Sequence, residues 1–110
     1  MNITTNSFKV IDYNKECFII KSKGDLTSTV SEEIRELIKS CSKKEYPAIY
    51  LNAKDVKEMD LPGINEVIHS HYFLQQVSKK LVFVYRKNSK VEKWVEHTGL
   101  DKFIETAIVI

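Results

Sequence analysis

Apolar runs of strand length alternate with amphipathic stretches of helix length along most of this chain, and that alternation narrows the fold more than any single motif. Residues 17–21, 48–51, 81–85 and 107–110 are short runs rich in β-branched and aromatic side chains, the pattern of strands. Between the first two, Val30, Ile34, Leu37 and Cys41 recur at helical spacing with Ile38 adjoining, while Glu33, Arg35, Glu36 and Lys39 take the other side. Ile64, Val67, Ile68, His71 and Leu74 make a second stripe, and Val91, Trp94 and Val95 a third. Strands separated by helices cannot be joined by tight turns, so they are expected to run parallel with right-handed crossovers. A further strand at residues 8–12 precedes them, joined through Asn14-Lys15-Glu16, which is hairpin length, and adds antiparallel. The expected class is α/β, a mixed, mostly parallel sheet of about five strands with three or more helices.

Local signals punctuate the pattern. Thr29-Val-Ser-Glu32 and Ser89-Lys-Val-Glu92 read as capping boxes, in which a hydroxyl takes a free helix N–H and the glutamate reaches back. Lys23-Gly24-Asp25 is expected to break the second strand, with Gly24 in an unusual backbone angle. Ala48-Ile-Tyr-Leu51 shows no alternation, which suits a strand covered on both faces. Lys43-Lys44 and Lys79-Lys80 read as solubilising turn residues. Thr98-Gly99-Leu100 reads as a helix stop, Gly99 taking the left-handed angle and Leu100 folding back.

The stretch from residue 51 to residue 67 organises the chain. A polar loop follows the strand at residues 48–51 and ends at Asp60, where the second helix begins. A helix N-terminus presents free N–H groups and the positive end of a dipole. Here it carries Asp60 as N-cap, then Leu61, Pro62 and Gly63, with Pro62 in the first turn where its missing N–H costs nothing. Phe73 is placed on the side of this helix opposite Ile64, beside Glu66 and near Val77, which suggests an outer contact surface.

Size and composition exclude several functions. At 110 residues a single domain over residues 1–110 is expected, with 43% hydrophobic residues for a core and 29% charged. A net charge of +2 with scattered lysines argues against nucleic acid. The chain opens on no leader pattern, and no apolar run is long enough to span a membrane; Cys17 and Cys41 form neither a CxxC nor a metal spacing. A cytoplasmic protein is expected. The three glycines lie far apart and form no phosphate loop. His69 and His71 are two apart on a helix and cannot share a metal; His71 reads as a hydrogen-bonded core residue, and His97 as a complement to the dipole of its helix. Glu58 and Asp60 are the only carboxylate pair of note, and capping by Asp60 with a solvated Glu58 accounts for them. No catalytic residue, metal or cofactor is expected.

With these residues laid out, the chain resembles the STAS domain (sulfate transporter and anti-sigma factor antagonist) over nearly its whole length. The resemblance rests on Gly24-Asp25-Leu26, Ile49-Tyr-Leu-Asn52, Met59-Asp60-x-x-Gly63-Ile64 and Thr98-Gly99-Leu100 followed by Phe103, in that order. It implies a binding module. In the family's partner-switching members an unphosphorylated antagonist binds a serine-kinase-type anti-sigma factor, which then phosphorylates a hydroxyl in an Asp-Ser-Ser/Thr-Gly motif. Here those hydroxyl positions are occupied by Leu61 and Pro62, and no Ser, Thr or Tyr lies between Asn52 and His69. Thr27 stands where many antagonists carry an acidic residue. The resemblance therefore implies a regulatory protein-binding domain without the usual phosphoacceptor, docking through Thr27, Asp60, Leu61, Pro62, Gly63 and Phe73. Its partner would be an anti-sigma kinase or, alternatively, the ATPase of a lipid transporter to which it is an accessory subunit. A small-ligand sensor is a further alternative.

Overall fold

The structure, a computed structural model, describes the backbone of residues 3–10 and 15–110 and the side chains of residues 25–27 and 31–110. Strands β1 (Ile3–Val10) and β2 (Lys15–Leu26) pair antiparallel, with Val10 opposite Lys15. The expected Asp12 end of the first strand and Asn14 of the hairpin lie outside the described residues. Then follow α1 (Ser28–Ser42), β3 (Ala48–Met59), α2 (Leu61–Gln76), β4 (Lys80–Arg86), α3 (Lys90–Thr98), a 3-10 turn over Leu100–Lys102, and β5 (Glu105–Val109). The sheet order is β1-β2-β3-β4-β5, parallel from β2 onward. This is the mixed, mostly parallel five-stranded sheet with three helices that the alternation predicts.

One core joins one face of the sheet to all three helices. Ile49, Leu51 and Ala53 of β3 and Leu81, Phe83 and Tyr85 of β4 pack with Ile34, Ile38 and Cys41 of α1, Ile64, Val67 and Leu74 of α2, and Val91 and Val95 of α3. Full burial of each such aliphatic side chain stabilises the fold by roughly 1.5–3 kcal/mol before entropy is counted. Burial alternates along β3, since Ala48, Tyr50 and Asn52 are only half-buried, so the expectation that this strand is covered on both faces is not met. Among the described side chains the continuous buried run is in β4, all five residues from Leu81 to Tyr85.

Two strands are longer than their apolar runs. β2 is not broken at Gly24 but continues to Leu26, with register shifts between Lys21 and Lys23 and between Gly24 and Asp25. β3 does not end in a loop after Leu51 but runs to Met59. Its pairing with β4 stops at Asn52↔Val84, and beyond that it pairs with β2 alone. Bulges absorb the mismatch, and Val56 and Met59 supply the apolar side chains that anchor a polar segment to the core.

The caps follow the sequence with shifts. α1 starts at Ser28 with Thr27 as N-cap, so Thr29 sits inside the helix and does not cap it. At α3 the Ser89 hydroxyl accepts the Glu92 N–H at 3.1 Å, while the Glu92 carboxylate accepts from Asn88 N–H rather than from the cap residue. Gly99 has φ +68° and Leu100 is fully buried, as a helix stop requires. Lys79 is more than a solubilising residue. Its ammonium donates to the carbonyls of Lys44 and Tyr46 and ties the α1–β3 connection to the one after α2.

Cys41 is 2% exposed at the end of α1, and burial pushes its thiol up to about 11. The thiolate that reacts with electrophiles is therefore nearly absent at neutral pH. We expect iodoacetamide at pH 8 to modify Cys41 at least about a hundredfold more slowly than a free thiol, and to reach it in denaturant. Peptide mapping by mass spectrometry reads both rates, and rapid labelling of the native chain would contradict this packing.

Candidate functional site

The site is built where β3 hands over to α2. Asp60 is extended, and its Oδ1 accepts the Gly63 N–H at 2.8 Å while its carbonyl accepts from Ile64 at 3.0 Å. Pro62 sits in the first turn, where no partner is needed for the missing N–H. Gly63 is obligatory for a steric reason. A Cβ there would lie 2.0 Å from the Leu26 carbonyl oxygen and 2.9 Å from its carbon. The first turn of α2 is thus pressed onto the end of β2, which leads directly into Thr27, the N-cap of α1. Thr27, Asp60, Leu61, Pro62 and Gly63 come together at one corner. Leu61 is 55% exposed there, an apolar side chain held on a fixed backbone.

Phe73 does not join them. It is half-buried and packs against the core cluster, so the outer contact surface expected from Phe73 is not formed. Glu66, expected beside it on an open face, is 3% exposed and ion-paired with Arg35 of α1, whose Nη2 and Nε donate to its two oxygens at 2.7 and 3.4 Å. The reason is that α2 is covered on two sides, by the sheet and by α1, so its buried arc is wider than one stripe. A signal was available: Glu66 is the only Asp, Glu, Lys or Arg between residues 61 and 76. That helix has too little charge for a surface face. The Glu66 hydrogen bond, then its charge, raise the Arg35 pKa against a smaller loss from desolvation; Glu32 and Glu36 add to the rise.

Ser31, Arg35, Pro62, Asn65, Glu66 and His69 line an open groove of about 400 Å³ between α1 and α2, continuous with the corner. Of the nearby hydroxyls, Ser31 Oγ donates to the Thr27 carbonyl at 3.1 Å, while Ser70 Oγ is buried, in a residue 1% exposed, without a hydrogen-bond partner. On the other flank Glu58 is ion-paired with Lys90 rather than simply solvated. Beyond it, Arg86 donates to the Lys54 carbonyl and to Asp55 beside a second open cavity. His71 is not a core histidine. It is half-buried, edge-on to Tyr72 at 5.0 Å and to Phe103 at 6.2 Å. Among the described residues no three His, Cys, Asp or Glu side chains are grouped to hold a metal ion, and no helix is long and apolar enough to cross a membrane.

The family model of the STAS domain matches residues 9–108. A candidate anti-sigma factor antagonist from Thermotoga maritima has a similar structure, with TM-score 0.75 and 18% identity over 96% of this chain and 86% of that one. An anti-sigma factor antagonist from Mycobacterium paratuberculosis gives 0.74 and 16% over 94% and 84%. SpoIIAA, the Bacillus cell-fate determinant, in its unphosphorylated form gives 0.66 and 18% over 97% and 90%. No curated protein matches the chain by sequence.

The clamp of α2 onto β2 is testable without a partner. Gly63→Ala should lower stability by about 1–3 kcal/mol, the range for overpacking against neighbouring atoms. Denaturant titration of both proteins measures it, and an unchanged midpoint would mean that the corner is not closed as described.

Proposed function

The chain belongs to the STAS domain family, and from that premise we propose that it is a non-catalytic protein-binding regulator of the anti-sigma factor antagonist kind. All of residues 1–110 would act as one domain in the cytoplasm. The observation that carries the proposal is the exposed Leu61 at a helix start whose backbone is clamped from behind. Apolar side chains pre-positioned at the surface are the usual anchors of protein interfaces. Thr27, Asp60, Pro62 and Gly63 form its surroundings, while Phe73 supports α2 from within.

Leu61 and Pro62 stand where the partner-switching members resembled by this chain carry hydroxyls. Neither has an oxygen to accept a phosphoryl group. Phosphorylation would add nearly two negative charges at this corner and change what could dock there. Without it, the surface keeps the character of an unphosphorylated antagonist. Regulation would then fall to the amount of protein or to competition between partners. The partner class that this reading favours is a serine-kinase-type anti-sigma factor.

The test is affinity purification from the native cell, with intact-mass analysis of the bait. We expect an anti-sigma kinase to co-purify with a bait of unmodified mass. A transporter ATPase in its place would reassign the chain to an accessory-subunit role, and a phosphate mapped anywhere on the bait would refute the loss of the switch. Leu61→Asp should weaken binding to the recovered partner at least about tenfold, equivalent to ~1.4 kcal/mol, and leave the thermal midpoint within a few degrees of wild type. Unchanged affinity would remove the corner from the interface.

A further inference from the structure

We propose that the chain carries a second docking surface, apart from the Leu61 corner, that takes an acidic peptide segment of a protein partner along the start of α3. The lysines concerned are scattered in the sequence, but the fold gathers them. Lys54, Lys57, Arg86 and Ser89 line one open cavity of about 480 Å³. Lys90, Lys93, Trp94 and His97 line another of about 370 Å³. The two are joined twice. Ser89 and Lys90 are consecutive at the start of α3, and Lys90 is ion-paired with Glu58, the residue after Lys57.

Five cations thus follow one another along two hollows, and only part of their charge is answered. Arg86 is held by Asp55 and the Lys54 carbonyl, and Lys90 by Glu58. Among the described residues no ion pair holds Lys54, Lys57 or Lys93. On α3 the spacing of Lys90, Lys93, Trp94 and His97 by three and four puts them on one face, and Glu92 falls off it, accepting from the Asn88 N–H. Trp94 is the independent sign of a ligand. It is half-buried, packs on the core and also lines the cavity, and among the described residues its indole N–H has no acceptor. A large ring with an unused donor, set among cations, is the kind of residue that anchors a partner.

The shape and the charges select the occupant. Two hollows end to end suit an elongated segment, with an apolar side chain against Trp94 and carboxylates beside Lys93 and Lys57. A membrane anchor needs a protruding apolar face, whereas Trp94 is recessed in a concave one. A phosphate backbone carries charge at every step and would meet Asp55 and Glu58 among the cations; a peptide can offer those carboxylates its own N–H groups.

Trp94 is the only tryptophan of the chain, so its emission reports on this cavity without a label. A random dodecapeptide library lacking tryptophan, displayed on phage and panned on the full chain, supplies the probes, and recovered peptides are sorted by whether they shift Trp94 emission. We expect those that do to combine Asp or Glu with an aromatic or aliphatic residue. Their binding should weaken about tenfold in Lys90→Ala/Lys93→Ala and between ~50 and ~300 mM salt, and stay unchanged in Leu61→Asp. A thermal melt checks the double variant, and Lys93→Ala alone, at an exposed and unpaired position, should give an intermediate loss. Emission-shifting peptides that are neutral or basic, or indifferent to both lysines, would overturn the proposal, and so would peptides lost in Leu61→Asp, which would belong to the corner. So would a library with no emission-shifting member, including the case in which phosphatidylglycerol vesicles or single-stranded DNA shift Trp94 instead.

Discussion

The arrangement of the corner depends on the absence of one carbon atom. Residue 63 can approach the Leu26 carbonyl only because it has no side chain; a Cβ would sit 2.0 Å from the oxygen. That contact fixes where the first turn of α2 lies against the end of β2. β2 continues into the N-cap of α1, so one close approach sets both helix starts relative to each other. The Arg35–Glu66 pair repeats the coupling one turn further along, between the same two helices. Leu61 is exposed on a rigid base because these two contacts hold the backbone beneath it.

The same coupling explains which parts were legible in the sequence. β4 and α3 are specified locally: five consecutive buried residues, a serine cap and a glycine stop each answer to their own neighbours. Asp60 is legible for the same reason, since its cap bond reaches only three residues ahead. The extension of β3 beyond Leu51 is not. Residues 54–58 are mostly charged, and only their pairing with the bulged end of β2 makes them a strand. The settings of Glu66, Phe73 and Lys79 are not legible locally either, because their partners are 31 or more residues away, in the core, or on another connection. Within the site, the cap is legible in advance; the burial of Glu66 and the groove beside Pro62 require α1 to be in place.

A helix N-terminus is a natural anion site, so it matters that this one has few donors left to offer. Asp60 occupies the Gly63 N–H, Pro62 has none, and the Ile64 N–H is taken by the Asp60 carbonyl. The positive end of the dipole is already answered by the cap carboxylate. An incoming phosphate would find competition from Asp60 rather than a cradle.

Under the proposed reading, the corner presents an apolar contact at the place where a switch would add charge. A switch based on phosphorylation works by the difference between two charge states, and it needs a hydroxyl that a kinase can reach. Under the proposed reading, Leu61 supplies a short-range apolar contact that no kinase alters. A surface of this kind has one binding state. Under the proposed reading, the response of the system then depends on how much of the chain is present and on which partner reaches it first, because affinity at the corner is set by composition alone.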